Sequence, residues 1–231
     1  MQTIAIGNLA LAFIPAVIVI AYMFHTRRGH MMSLYALARM VIQLVLIGYV
    51  LIYIFESEQP AVVLATLGVM MLAASYIALR TVAPQRKALF GKALLSIAIG
   101  GGGTLALVTQ GVLQVDPWYE PSVMIPLGGM IFAASMNAIA LAAERREAEL
   151  ALGKKSEEAT GDAFHTSLIP IMNSLFAVGL VTLPGMMTGQ ILSGVSPLIA
   201  ARYQIMVMAM IFGATGLSAL LFLHLTSQKE D

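Results

Sequence analysis

The chain has 231 residues, of which 59% are hydrophobic and 11% are charged, and its mean hydropathy is +0.86. A soluble domain carries about 25% charged residues, so this composition argues against a soluble enzyme, and a net charge of +1 without a basic stretch argues against nucleic-acid binding. The lack of cysteine excludes disulfides, thiolate metal sites and cysteine nucleophiles.

Seven apolar stretches predict an all-α, polytopic membrane protein, because about 20 apolar residues in a helix cross a bilayer. They lie at 4–24, 34–55, 61–79, 92–113, 123–143, 168–192 and 197–225. We expect them to form one transmembrane domain over residues 1–231. No positive charge precedes the first stretch and its apolar run is long, so it is predicted to be a retained helix and not a cleaved signal peptide.

The charges between these stretches predict an orientation. Lys and Arg follow the first, third and fifth stretches and end the chain, at Arg27, Arg28, Arg80, Arg86, Lys87, Lys92, Arg145, Arg146, Lys154, Lys155 and Lys229. The other loops carry Glu56, Glu58, Asp116 and Glu120. Because basic residues in short loops stay cytoplasmic, we predict an N-terminus outside and a C-terminus in the cytoplasm.

The predicted spans lack the groups that would power transport. All twelve Asp and Glu residues fall outside them, and the four histidines fall at cytoplasmic edges. Proton-coupled carriers usually need an intramembrane carboxylate or histidine, and no phosphate-binding P-loop is present. If the protein moves a solute uphill, the energy must come from another polypeptide.

Two irregular features occur in the second and fourth spans. Arg39 lies about two turns into the second span by the helical rise, where it either lines a cavity or snorkels to the interface. Gly100–Gly103 lie near the middle of the fourth span. Four glycines in a row either bend a helix or allow very close packing.

The sixth span contains Pro184 within the run from Leu180 to Gln190. Proline removes a backbone hydrogen bond, and irregular backbone at that depth is tolerated only against protein or a water-filled cavity. Gly185, Gly189 and Ser193 form a small-residue stripe. The run is therefore either a hinge that lines a translocation path or a packing seam. Ser196-Pro197 predicts the start of the seventh helix.

Sixteen methionines raise the question of a soft-metal site, since thioethers favour copper(I). Met186 and Met187 are adjacent, whereas Met206, Met208 and Met210 are two residues apart and so spread around a helix. Methionine is also a common apolar filler, which is the alternative interpretation.

A charged segment at about 144–165 predicts a short cytoplasmic surface helix that ends at Gly153. ATP-driven import permeases carry a Glu-Ala-Ala-x-x-x-Gly signature on the helix that docks into their ATPase. Glu147, Ala148 and Gly153 keep that spacing, with Glu149 in place of the second alanine. The segment is interpreted as an ATPase-coupling segment or, alternatively, as a solvated charged helix.

The whole chain resembles the Fet-type iron-export permeases, the membrane subunits of a small ABC transporter family to which plant aluminium-tolerance permeases are also similar. The most specific stretch runs from Gly179 to Gly194. Further matches are Ser196-Pro197, Arg202-Tyr203-Gln204, Arg39, Gln43-Leu44, Gly48, Pro126-Leu127-Gly128, Met130 and Asn137.

The resemblance implies a permease domain in a multi-pass protein of the bacterial inner membrane, working as a homodimer with a separate ABC ATP-binding subunit that holds ATP and Mg. The chain itself would bind no cofactor and catalyse no reaction. Iron export and oxidative-stress resistance are the implied function. The alternative is a self-sufficient secondary carrier or channel for another metal or small solute, and a membrane scaffold without transport is a third possibility.

Candidate residues of the substrate pathway or hinge share a polar or flexible character at predicted membrane depth. They are Gln43, Asn137, Asn173, Thr182, Pro184, Gly185, Met186, Met187, Thr188, Gly189 and Gln190.

Overall fold

The computed structural model describes residues 5–27, 29–57 and 59–227. Every regular element in these ranges is a helix, and one isolated bridge joins Val178 to Thr182. The chain divides into two compact units, residues 1–57 and 58–231. Arg28, Glu58 and Lys229, which contribute to the charge argument, lie outside the described residues.

The first unit consists of three helices, α1 (Ile6–Leu11), α2 (Ile14–His25) and α3 (His30–Phe55). Gly29 connects α2 to α3 with a φ of +69°, a conformation that glycine adopts at little cost. The Phe24 and His30 rings meet edge to face with centroids 4.9 Å apart. Most apolar side chains on α2 and α3 are exposed, which is typical of helices that cross a membrane.

The second unit contains the remaining helices. These are α4 (Pro60–Ala78), a 3₁₀ turn (Ala83–Gln85), α5 (Arg86–Ser96), a π-helix (Ile97–Gly102), α6 (Gly103–Ala106), a second π-helix (Leu107–Val112), α7 (Pro121–Ala151), α8 (Ser156–Ala177), α9 (Gly185–Leu192) and α10 (Pro197–Ser227). α7 lies at the centre, since it contacts α4, α8 and α10. The start of α10 at Pro197 agrees with the sequence prediction.

Small residues let the central helices approach each other closely. Ala142 of α7 and Ala163 of α8 are fully buried beside Leu223 of α10. Deeper in the same interface, the Ser218 hydroxyl donates to the Ser135 hydroxyl oxygen at 3.0 Å. Both serines are buried in a part of the protein that water does not reach. Their mutual hydrogen bond therefore gives each hydroxyl a partner there.

The glycine run divides into two halves with different surroundings. A Cβ on Gly100 would lie 2.7 Å from the Ser218 backbone nitrogen, and one on Gly101 would lie 3.1 Å from Ile131 Cγ2. A Cβ on Gly103 would have no atom of another residue's side chain within 4 Å. The first two glycines therefore belong to a packing seam, and they lie in a π-helix, one of the known causes of a helix irregularity.

Six of the described helical stretches are long and apolar enough to cross a membrane. They are Gly7–His25, His30–Phe55, Pro60–Ala78, Ala83–Val112, Pro121–Ala151 and Pro197–Ser227. The predicted sixth span, 168–192, is not a continuous helix, because α8 ends at Ala177 and α9 begins at Gly185. Gly179, with a φ of +82°, turns the chain out of α8.

Candidate functional site

The break between α8 and α9 is a compact loop with its own hydrogen bonds. The Ala177 carbonyl accepts from the amides of Leu180, Val181 and Thr182 at 3.2, 2.8 and 3.1 Å. The Gly179 amide donates to the Thr182 carbonyl at 2.9 Å. Pro184 then precedes α9 in an extended conformation. The sequence predicts Pro184 inside a continuous sixth span, whereas the structure places it in the loop, where it cannot kink a helix.

Two cavities open beside this break, against α10. The first has a volume of about 290 Å³ and is lined by Met130, Ser174, Val178, Thr182, Pro184, Gly185, Met186, Gln204, Val207, Met208 and Ile211. The second has a volume of about 460 Å³ and is lined by Leu175, Val178, Gly179, Met187, Ala201, Gln204, Ile205, Met208 and Ala209. We call the first the break cavity. The two share Val178, Gln204 and Met208, so they border the same stretch of α10.

Gln204 is the most unusual polar group at these cavities. Its residue surface is only 6% exposed, and its Oε1 has no hydrogen-bond partner among the described residues. An unsatisfied buried polar group costs roughly 1–3 kcal/mol, and hydrocarbon offers no water to relieve it. The amide oxygen therefore has unused capacity to accept a donor or to bind a cation.

A third cavity, of about 160 Å³, lies between α7, α8 and α10, and four uncharged polar side chains line it. Its lining includes Asn137, Ser167, Ser174 and Thr215. The Thr215 Oγ1 is buried without a partner in the described part of the chain. Ser174 and Ile211 line both this cavity and the break cavity, so uncharged polar side chains follow one another along the interface of α8 and α10.

The structure brings together only part of the predicted pathway set. Thr182, Pro184, Gly185 and Met186 line the break cavity, Met187 lines its neighbour, and Asn137 lines the third cavity. Thr188, Gly189 and Gln190 are half-buried on α9 and line none of the three, although Gln190 Oε1 is buried without a partner among the described residues. Asn173 is exposed on α8, and Gln43 is exposed on α3 of the first unit.

Sequence reasoning did not place Gln204, Ser174 or Thr215 among the pathway residues. A signal was present, since Gln204, Met208 and Ile211 are spaced four and three apart and therefore share one face of α10. A lone glutamine in an apolar helix is a strong pointer to the inside of a bundle.

The break cavity offers neutral ligands only. None of the described residues that line it is charged. In the described ranges, no group of three or more His, Asp or Glu side chains is arranged to hold a metal ion. Any solute here would contact amide and hydroxyl oxygens, thioether sulfurs and backbone.

A second feature of interest is the hairpin between α7 and α8. The sequence predicts a separate short surface helix in the charged segment. This prediction is wrong, because α7 continues without interruption to Ala151. With 31 residues, α7 is about 46 Å long at 1.5 Å per residue, which exceeds the roughly 30 Å hydrocarbon thickness. Gly153, with a φ of +83°, ends the turn, in agreement with the prediction.

Ion pairs fix this hairpin. The Glu149 carboxylate, whose side chain is 3% exposed, pairs with Arg145 at 2.5 Å and with Lys154 at 2.8 Å. Lys154 also pairs with Asp162 of α8 at 2.7 Å. Hydrogen bonds to Asp162 and Glu149 raise the pKa of the Lys154 ammonium, and the hydrogen bond from Lys154 lowers the pKa of the Asp162 carboxyl.

The predicted coupling residues lie on the outer surface of this hairpin. Glu147 and Ala148 are exposed on the last turns of α7. The Gln85 amide donates to Glu147 Oε1 at 3.5 Å, and both residues border a cavity of about 160 Å³ that also includes Arg146 and Leu150. The arrangement presents the exposed Glu147 carboxylate beside this groove, at the end of the α7–α8 hairpin.

Comparisons with known proteins agree on one family. The model of the uncharacterised protein family UPF0014 matches residues 6–230. A UPF0014 membrane protein of Synechocystis is 38% identical over 81% of this chain and 78% of its own length. The probable iron export permease protein FetB of Escherichia coli is 32% identical over 85% of this chain and 80% of its own.

A plant protein is similar over a comparable length. The protein ALUMINUM SENSITIVE 3 of Arabidopsis thaliana is 32% identical over 81% of this chain and 72% of its own. No solved structure matches the chain. With its long apolar helices and a family match over almost its full length, the chain is a multi-pass membrane protein that belongs to the UPF0014 family.

Proposed function

We propose that the chain is the permease subunit of an ATP-driven exporter, with iron as its cargo. The observation that carries the proposal is the buried, unpartnered Gln204 amide oxygen at a helix break, because irregular backbone and unsatisfied polar groups inside a membrane protein mark solute paths. The name of the Escherichia coli relative, a probable iron export permease, supports iron as the cargo.

In the proposed topology α8 and α9 together form one broken crossing, so the chain crosses seven times. The N-terminus is then outside and the C-terminus cytoplasmic, which keeps the Lys and Arg residues of the α7–α8 hairpin in the cytoplasm. Discontinuous helices of this kind build the midplane sites of many transporters.

The proposed energy source is a separate ABC ATP-binding subunit that holds ATP and Mg. It would dock on the coupling residues Glu147, Ala148 and Gly153. The ion-paired hairpin supports this role, since a stiff helix pair transmits a push at its tip to Asn137 and Ser174 farther along α7 and α8. An ABC transporter has two ATPase subunits, so we propose two permease copies, in the bacterial inner membrane, whose export of iron limits oxidative stress.

Reconstitution tests this proposal directly. Proteoliposomes that contain the permease and an ABC ATP-binding subunit that co-purifies with it should show ATP-dependent iron movement, and iron should stimulate ATP hydrolysis. Transport by the permease alone would contradict the proposal and favour a secondary carrier or channel.

A charge reversal locates the docking surface. Glu147→Arg should lower iron-stimulated ATP hydrolysis. It replaces a carboxylate with a cation in the groove that Gln85 also lines, where the ATP-binding subunit is proposed to dock. Glu144→Arg, which changes an exposed carboxylate one turn earlier on α7, is the matched control. Equal loss in both variants would argue against docking at Glu147.

A further inference from the structure

We propose that the break cavity is a binding station for a soft, reduced transition-metal cation, held by thioether sulfurs and the Gln204 amide oxygen. This inference rests on the proposed function in one respect, namely that the cavity belongs to the transport path. It goes further by naming the ligand chemistry and the oxidation state of the cargo.

Three methionines from three different helices line the break cavity. Met130 comes from α7, Met186 from α9 and Met208 from α10. The spacing of Met206, Met208 and Met210 spreads those three around α10, so convergence does not arise within one helix. The three side chains border one cavity because three helices line it, and thioethers are ligands that soft cations prefer.

Gln204 supplies the oxygen. Its Oε1 is buried and accepts no hydrogen bond from the described residues, and Gln204 lines the same cavity as the three methionines. A hydrogen-bond donor or a cation would satisfy it. The sulfurs beside it are weak hydrogen-bond acceptors but good ligands for soft metals, so the combined lining favours a cation.

The lack of charge in the lining sets the selectivity. Mg²⁺ and Ca²⁺ prefer carboxylates and other hard oxygens, and the described residues that line the cavity carry no carboxylate. Neutral ligands also bind a cation weakly enough for it to leave, which conduction through a site requires. Iron would accordingly pass as Fe²⁺, because Fe³⁺ is a harder ion with a stronger demand for anionic oxygen.

Metal binding to the purified full-length permease tests the inference without the ATPase. Equilibrium dialysis under anaerobic conditions would use Ag⁺ as a redox-inert soft probe, Fe²⁺ as the proposed cargo and Mg²⁺ as the hard control. Ag⁺ and Fe²⁺ should bind saturably, and Mg²⁺ should not. Met208→Leu and Gln204→Leu should each weaken binding about tenfold or more, as loss of support at a metal site usually does.

Met206→Leu is the matched control. Met206 lies on the same helix two residues before Met208 and is similarly half-buried, but it lines neither the break cavity nor its neighbour. Its binding should equal that of the wild type. Gln204→Glu adds a test in which metal binding should increase. A carboxylate at this position should tighten Fe²⁺ binding and allow Mg²⁺ to bind.

Each other outcome overturns a stated part. Three results would overturn the site. They are a permease that shows no saturable binding of Ag⁺ and Fe²⁺, an equal change of binding in Met208→Leu and Met206→Leu, and binding of Mg²⁺ by the wild-type permease. Binding of inorganic phosphate that depends on Gln204 would also overturn it, in favour of an anion at the N-terminus of α9. Ag⁺ binding without Fe²⁺ binding would keep the soft site and refute iron as cargo. ATP-driven export of an organic solute without metal binding would refute the site and leave the ATP-driven mechanism intact.

Discussion

At the scale of the residue, Gly100 shows how one missing methyl group decides the packing of two helices. A Cβ there would lie 2.7 Å from the Ser218 backbone nitrogen, which cannot rotate away as a side chain can. Gly100→Ala should therefore lower the free energy of unfolding by about 1–3 kcal/mol, the usual cost of overpacking. Thermal unfolding of the detergent-purified chain measures the effect.

Gly103 provides the control in the same run. Nothing lies within 4 Å of a Cβ at this position, and alanine is the better helix former by roughly 1 kcal/mol. Gly103→Ala should leave the melting temperature unchanged or raise it. If both variants destabilise equally, the run acts through backbone flexibility and not through contact with α10.

The pair of Lys154 and Asp162 predicts how the α7–α8 hairpin responds to pH. The hydrogen bond from Lys154 lowers the pKa of Asp162 below its ordinary value of 3.8, so the stabilisation is present above pH 3.8 and is lost as the pH falls through the lowered pKa. The pKa of Lys154 is raised above 10.5, so its stabilisation persists below that pH and is lost as the pH rises through the raised value.

Hydrogen exchange of the hairpin amides, corrected for intrinsic rates, measures this dependence. Protection should stay constant across neutral pH and fall on the acid side. The effect is small and sensitive to salt, because both groups are accessible to water. Asp162→Asn should remove the acid-side change that belongs to this pair, and an unchanged profile in that variant would assign the acid dependence to other carboxylates.

At the scale of the element, the loop between α8 and α9 depends on the left-handed conformation of Gly179. Its φ of +82° is unfavourable for residues with a Cβ, by about 1–2 kcal/mol. Because nothing lies within 4 Å of a Cβ there, Gly179→Ala should lower the unfolding free energy through the backbone alone. Gly179→Asn should cost less, since asparagine tolerates this conformation.

Gly161→Ala is the comparison variant for this loop. Gly161 lies within α8, has free space around it and has no positive φ. Alanine should therefore stabilise it or leave it unchanged. Equal responses at Gly179 and Gly161 would show that the loop does not depend on the left-handed turn.

At the scale of the whole molecule, the apolar pattern predicted the helices well and the break poorly. Hydropathy sums side chains, so 168–192 reads as one span even though Gly179 and Pro184 bracket a non-helical loop. The charged segment at 144–165 was predicted to contain a short helix that ends at Gly153, but the sequence did not predict that this helix is the continuation of α7. Charge in a sequence does not reveal where a long helix leaves the bilayer. The spacing of Gln204 with Met208 and Ile211 could have placed it on an inner helix face, whereas its unpaired oxygen is visible only from its neighbours in space.

The count of crossings is the remaining test at this scale, and the lack of cysteine makes it simple. Single cysteines can be placed on either side of the α8–α9 pair, with Lys155→Cys before it and Ser196→Cys after it, both at exposed residues. In intact cells or right-side-out vesicles, a membrane-impermeant maleimide should label Ser196→Cys, and it should reach Lys155→Cys only after permeabilisation. Beyond the charged segment, α8 has 12 residues and α9 has 8, about 30 Å of helix in total, which matches the hydrocarbon thickness for one crossing. Labelling of both cysteines from one side would leave α8 and α9 as a re-entrant pair in a protein with six crossings, and the predicted orientation of one terminus would then be wrong.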